Sequence, residues 1–264
     1  MAKPKFSYFD LRARGDAARM LLHLANVDFE DHRIELKIKS FPPPVFEGEW
    51  ADLKPTLPFK QVPVYTDEEV TNLAQSNTIL RHIARKHNLY GKNNAERAYN
   101  DMYIDAAEDL ANVIYKNLFE LDKEETRNKV REDIKVKLDQ LDKLLGSKKF
   151  FVGDCKLSHW VSQYLSRMFA PVVGACVFSV DRRMLTSPVA AHVGDVALFH
   201  VFENLVKPFQ RDLLSDFTNL AAFRDRIAQI PTIDSYLKSP SRPKTTTPSL
   251  PFVKGLNTEE ECRL

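Results

Sequence analysis

The side chains of this chain best suited to chemistry are polar groups set inside or beside apolar runs. Tyr8 stands between Phe6 and Phe9. A neutral phenol there can donate a hydrogen bond to an anion, although from position alone a strand aromatic packed in a core is the plainer reading. Arg14 would lend positive potential to such a site, or else lie exposed in a first helical turn. Gln75 and Ser76 stand where a helix should begin, and helix amides and dipole favour an anion at that end. Ser76 is also placed to cap that helix. Trp50 offers an indole N–H and Lys54 a point charge. Asp105, Glu108 and Asp109 fall at i, i+3 and i+4 and so share one helix face.

These groups must be positioned by a strand, a helix and a second strand in turn. The aromatic run through Tyr8 and Phe9 reads as a strand ending where Asp10 to Gly15 turn polar and small. Ala17, Ala18, Met20, Leu21, Leu22 and Leu24 predict a helix, and the run around Glu30 to Ile34 a second strand, which makes a parallel crossover unit. Residues 61–65 read as a third strand, residues 69–72 as a fourth after a turn, and residues 76–87 as a helix. Residues 1–90 therefore form a small α/β domain.

From Asn94 the spacing becomes helical throughout 94–240. Tyr99, Met102, Tyr103, Ala106, Leu110, Val113 and Ile114 mark one flank of a long helix. A second long helix carries Val130, Ile134, Leu138, Leu141 and Leu145 and closes at Gly146. Further helices are expected over 193–205 and 217–227. Residues 241–264, rich in Pro, Ser and Thr, read as a disordered tail.

Composition narrows the partners. The 264 residues are 44 % hydrophobic and 28 % charged, with a net charge of +2 from 38 basic and 36 acidic residues interspersed along the chain. That leaves no single-sign field for a nucleic acid. No run approaches the ~18 apolar residues of a membrane span. Cys155, Cys176 and Cys262 are isolated and odd in number, which points to a reducing compartment, and the first residues lack the apolar core of a leader. A cytoplasmic location is expected.

Four motifs then appear in order: Y-F-D-L-R-A-R-G-D-A-A-R at 8–19, E-D-H-R-I-E at 30–35, W-A-D-L-K-P-T-L-P-F-K-Q-V-P-V at 50–64 and L-A-Q-S-N-T-I-L-R-H-I-A at 73–84. Together they resemble the glutathione-binding half of cytosolic glutathione transferases, most nearly the sigma class. The resemblance extends through Y-N-D-M-Y-I-D-A-A-E-D-L and F-F-V-G-D. It implies an α/β, thioredoxin-like domain followed by an all-α domain, a homodimer, and conjugation of glutathione, as co-substrate, to a small and mostly apolar electrophile. It further implies that Tyr8 and Arg14 are catalytic, and that glutathione contacts Tyr8, Trp50, Lys54, Gln61, Val62, Gln75, Ser76 and, from the neighbouring subunit, Asp109. The Val62–Pro63 bond would be cis. Phe9, Leu11, Tyr115 and Phe119 are the candidates for the electrophile pocket. No metal is assigned, although a related prostaglandin D synthase binds a divalent cation through an acidic cluster like Asp105, Glu108 and Asp109. A glutathione-dependent prostaglandin-type isomerase and a crystallin-like relative of low activity are the competing readings.

The chain departs from the family pattern in four places. Ala13 replaces a glycine, which would strain the turn if its φ is positive, and Asp16 replaces a glutamate. Residues 37–48, with three consecutive prolines, read as a stiff loop walling the site. Residues 159–192 separate Ser158 from Val193-Gly194-Asp195, interrupting an expected Ser-x-x-Asp capping box at the start of a buried helix.

Overall fold

A computed structural model of the chain describes residues 3–40, 45–152, 191–210 and 212–246. Strand β1 (Lys5–Phe9) lies inside a four-stranded sheet, parallel to β2 (Glu30–Ile34) on one side, with the order β2-β1-β5-β6. On its other side β5 (Val64–Thr66) runs antiparallel and pairs in turn with β6 (Leu73–Ala74). The fourth strand therefore lies a few residues later than 69–72. Its place is set by Asp67, whose carboxylate takes the Glu69 and Val70 amides at 2.9 and 3.0 Å and so turns that stretch into a loop. Helix α1 (Asp16–Leu24) crosses between β1 and β2, burying Ala17, Ala18, Met20, Leu21, Leu22 and Leu24 as the spacing predicts.

Residues 37–48 form a hairpin rather than a stiff loop. Strands β3 (Lys37–Ser40) and β4 (Val45–Glu47) pair antiparallel, and Pro42, Pro43 and Pro44 fall at the connection, outside the described residues. Helix α2 (Glu49–Leu53) follows directly, and α3 (Ser76–Lys86) packs on α1.

The second half is helical. Helix α4 (Asn94–Tyr115) is capped by Asn93, whose side chain takes the Glu96 amide at 2.9 Å. Its buried face runs through Tyr103, Ile104, Ala107, Leu110, Ala111 and Ile114, so of the flank read from the spacing Tyr99 and Met102 are exposed. Helix α5 (Glu124–Leu145) buries the five residues expected of it and stops at Gly146, whose φ of 52° suits a glycine. Helix α6 (Val193–Val201) is buried on every face and continues through a wider turn (Phe202–Val206) to Phe209. Gly194 permits its close approach to α4: a Cβ there would stand 3.1 Å from Tyr103 Cβ, and its amide donates to Asn100 Oδ1 at 2.9 Å.

The carboxylate of the capping box is fully used. Asp195 takes the His192 amide at 2.9 Å and the Phe151 amide at 2.8 Å, so His192 stands where a Ser was expected. Ser158 and residues 159–190 lie outside the described residues. Helices α7 (Thr218–Ala228) and α8 (Pro231–Lys238) complete the domain. Helix α8 is an addition to the helices read from the sequence, with a proline in its first turn as the available signal. Residues 241–246, expected within the tail, are instead packed against the turn after β1, with Arg242 and Thr246 buried.

Candidate active site

Tyr8 ends up near the C-terminal end of β1 with its ring 95 % buried. Gly15 makes that position possible: a Cβ on it would lie 2.3 Å from Tyr8 Cδ1, inside the ring's own volume. Arg19, wholly buried, supports the same ring from α1. Its Nε donates to Asp31 at 2.9 and 3.1 Å, its Nη1 to the Leu11 carbonyl at 2.9 Å, and its guanidinium stands 5.9 Å from the Tyr8 centroid. Gly15→Ala is therefore expected to displace the ring, costing about 1–3 kcal/mol of stability by overpacking. If Tyr8 is the catalytic group, the same substitution lowers turnover by at least about tenfold. An unchanged melting temperature and unchanged kinetics would show that the ring has room to move.

Burial is the main influence on the Tyr8 hydroxyl, pushing its pKa up to about 12 against the Arg14 backbone N–H and the charges of Arg14 and Arg19. The group is therefore a neutral phenol at physiological pH and can act as a hydrogen-bond donor, not as a base. The Arg14 N–H acts on the phenolic oxygen rather than on its hydrogen, which is left to donate.

The Arg14 side chain reaches away to α4. Its Nη1 donates to both Glu108 oxygens at 2.6 and 2.9 Å, its Nη2 to Asn112 Oδ1 at 3.2 Å, and its guanidinium covers the Tyr115 ring at 4.7 Å. Arg14, Ser76, Leu80, Glu108, Tyr115 and His200 line a cleft where this turn meets α3, α4 and α6. The Tyr115 hydroxyl is buried and unpartnered there. Burial lowers the pKa of His200 to about 4, so this histidine is neutral at pH 7. Of the four electrophile-pocket candidates, Tyr115 alone lines this cleft. Leu11 is buried in the core, Phe9 is wedged between Tyr8 (5.6 Å) and Trp50 (5.0 Å), and Phe119 is 55 % exposed.

A second, smaller core holds together the segments expected around the tripeptide. Ile34, Trp50, Leu57, Val64 and Ala74 are buried in it, with Val62 and Phe46 packed against them. Lys54 Nζ lies 4.8 Å over the Phe46 ring, and Phe46 meets Trp50 edge-on at 6.3 Å, so the hairpin does abut the Trp50–Lys54 pair. The Val62–Pro63 bond is cis, with Gln61 exposed beside it. Gln75 has φ 73° and ψ 112°, an uncommon backbone for a residue other than glycine and of a kind that clusters at ligand sites. It, and not Ser76, occupies the N-cap position of α3; Ser76 is the first helical residue. With no side-chain cap and no acidic residue in the first turn, the leading amides of α3 are open to an anion such as a carboxylate.

The three clustered carboxylates of α4 diverge. Asp105 pairs with Arg81 at 2.7 Å, Glu108 with Arg14, and Asp109 with Lys137 of α5 at 3.7 Å. The structure thus carries Glu108 to the Tyr8 turn and Asp109 to the opposite flank. Gly15, Arg19, Phe46 and Asn112 are site neighbours to which residue-by-residue reading assigned no role, and Glu108, read only as one of an acidic cluster, is the partner of Arg14. The available signals were the length of the motif at 8–19 and the spacing of Glu108 and Asn112, one helical turn apart on α4.

Comparison with known proteins accords with this arrangement. Residues 4–85 match the N-terminal domain family of glutathione S-transferases and residues 193–240 the C-terminal domain family. Mouse glutathione S-transferase A4 is 30 % identical over 260 residues, covering 97 % of either chain. The chain belongs to the glutathione S-transferase family. Chicken hematopoietic prostaglandin D synthase is 27 % identical over 253 residues, 93 % of this chain and 99 % of that one. The crystal structure of the glutathione S-transferase from Ascaris lumbricoides superposes with a TM-score of 0.70 at 24 % identity, over 93 % of this chain and 100 % of that one. This glutathione S-transferase is accordingly an enzyme with glutathione as its co-substrate, built of a thioredoxin-like domain with a small mixed sheet and a helical domain. Among the described residues, no helix is long and apolar enough to cross a membrane.

Proposed function

We propose that Tyr8 donates a hydrogen bond to the sulfur of bound glutathione, favouring the thiolate that attacks an apolar electrophile. A free thiol titrates near about 8.5, so only a few per cent is nucleophilic at neutral pH. A buried, neutral hydroxyl corrects this because its bond to an anion is charge-assisted. The observation that carries the reading is the Tyr8 hydroxyl itself, protonated up to about pH 12 and set beside a cationic turn. Arg14 adds positive potential, moderated by its pair with Glu108. Trp50 and Lys54 would hold the glycyl carboxylate, Val62 and Gln61 the cysteinyl backbone, and Gln75 and Ser76 the γ-glutamyl carboxylate at the open end of α3. As the sulfur–carbon bond forms, the electrophile either loses a leaving group with its bonding pair or breaks a π bond whose anion takes a proton from solvent, the thiol's own proton having left to solvent beforehand. Capture on immobilised glutathione followed by conjugation assays tests this. A chain that is neither retained on the glutathione matrix nor able to conjugate would refute it.

A prostaglandin-type isomerase is the second reading, favoured by the full-length similarity to the chicken prostaglandin D synthase. It shares every residue of the thiol site, and the same preparation assayed for isomerisation decides between the two products.

We further infer a cytoplasmic homodimer of the sigma class. Phe59, 71 % exposed on the loop before Gln61, and Tyr99 and Met102, exposed on α4, support the dimer as apolar surface in want of cover. Asp109→Ala is expected to weaken glutathione binding about tenfold, one charged hydrogen bond, while the protein stays dimeric. Full affinity in a monomeric native protein, measured by light scattering and titration, would contradict it.

A further inference from the structure

Residues 242–246 read by composition as the start of a tail, yet each is bonded to the turn that follows β1. Arg242 is buried, and its Nη2 donates to Asp16 Oδ2 at 3.1 Å and to Asn204 Oδ1 at 2.9 Å. Pro243 and Lys244 present their carbonyls to the Arg12 guanidinium at 2.7 and 3.0 Å. Thr245 and Thr246 present theirs to the Arg12 and Ala13 amides, both at 2.8 Å. Arg12 and Asp16 are themselves buried, so these bonds are shielded from water.

The turn so held is the one that builds the surroundings of Tyr8. Ala13 has φ 23°, a conformation that strains an alanine and persists only where neighbours hold it. The next residue, Arg14, brings its backbone N–H and its charge to bear on the Tyr8 hydroxyl, and Gly15 lies so close to the ring that a Cβ there would stand 2.3 Å from Tyr8 Cδ1. A shift of the turn would therefore move the phenol and its guanidinium neighbour together.

We propose that residues 242–246 are a strap that positions Tyr8 and Arg14, with Arg242 as its anchor. The strap touches no reacting atom; it acts through Arg12, Ala13 and Asp16. The inference rests on the thiol-activating role of Tyr8 given above.

Five proteins test it: the full chain, a chain ending at Thr246, a chain ending at Ser241, and the full-length Arg242→Gln and Arg242→Lys variants. The chain ending at Thr246 is expected to match the full chain. Ending at Ser241 should lower kcat by at least about tenfold, with the glutathione KM held within about threefold, because positioning of the thiolate and not its binding is lost. The thiol pKa in the complex should rise by about one unit. Adding the peptide Ser-Arg-Pro-Lys-Thr-Thr in trans should restore part of the rate. If the shortest chain does not fold, Arg242→Gln reports instead, with Arg242→Lys recovering the loss. A chain ending at Ser241, or an Arg242→Gln variant, that melts earlier but keeps kcat and thiol pKa would overturn the strap and leave a structural contact only. Absence of conjugation by the full chain would instead overturn the thiol-site reading. The strap is then decided by amide exchange at Arg14 and Gly15, faster in the shortest chain if it stands and unchanged if it falls.

Discussion

Tyr8→Phe is expected to bind glutathione within a few-fold of the parent and to turn over about 10²-fold more slowly at neutral pH. The substitution keeps the ring that fills the space against Gly15 and Arg19, so packing is preserved. It removes one donor to a charge that is fully developed only on the thiolate, and loss of a comparable donor costs about 10²–10³ in rate. On the proposed reading, glutathione's carboxylates would still meet Lys54, Trp50 and the start of α3. Steady-state kinetics together with a binding isotherm separate the two quantities. Equal turnover in the two proteins would remove Tyr8 from the chemistry.

The second large effect is on stability. Asp16, the residue standing where the family usually has glutamate, is wholly buried and accepts from Asn204 Nδ2 at 2.8 Å, from Arg242 and from the Tyr236 hydroxyl. Burial pushes its carboxyl up, but Arg242 foremost among its neighbours brings the pKa down to about 2. Asp16→Ala leaves a buried guanidinium and two buried donors uncompensated. We expect a loss of about 3–5 kcal/mol, or roughly 10 °C in melting temperature for a chain of this size. The pH dependence follows in sign. A carboxyl that is more acidic folded than unfolded contributes stability above about pH 4 and loses it as pH falls toward 2. The amount is about 2–3 kcal/mol. That fraction of the acid limb should vanish in Asp16→Ala. A variant melting within about 2 °C of the parent would show that Arg242 finds another partner.

How much of this was legible beforehand depends on which groups do the work. Helices α1 and α5 announce themselves because their buried residues recur at helical spacing, whereas the position of Tyr8 among aromatics reads first as a packed strand residue and only the motifs around it single it out. Family resemblance, not spacing, was the reason to expect the cis bond before Pro63. The hairpin β3–β4 was hidden because three prolines dominate the segment, yet they fall at its connection and leave the strands free to pair. Tyr99 and Met102 share the apolar flank read for α4 yet are exposed, because an apolar residue on a helix can face a core or a second molecule, and periodicity does not say which.

The strap was illegible for a different reason. Four of its five residues bind the turn through backbone carbonyls, which every sequence possesses. Composition therefore reads the segment as tail, and nothing in the residue types marks where those carbonyls dock. Arg242 was the only side-chain signal, and its partner Asp16 lies 226 positions away. The pairing of Arg14 with Glu108, 94 positions apart, is likewise a product of the fold, which is why the α4 acidic cluster could be seen but not apportioned.

The most direct test of the central claim is the pKa of glutathione's thiol in the complex, followed by thiolate absorbance as pH is raised. If Tyr8 donates to the sulfur, that pKa lies at least about one unit below the free value near 8.5 in the parent and returns toward it in Tyr8→Phe. A thiol that titrates at its free value in the parent, or at one shared value in both proteins, would contradict it.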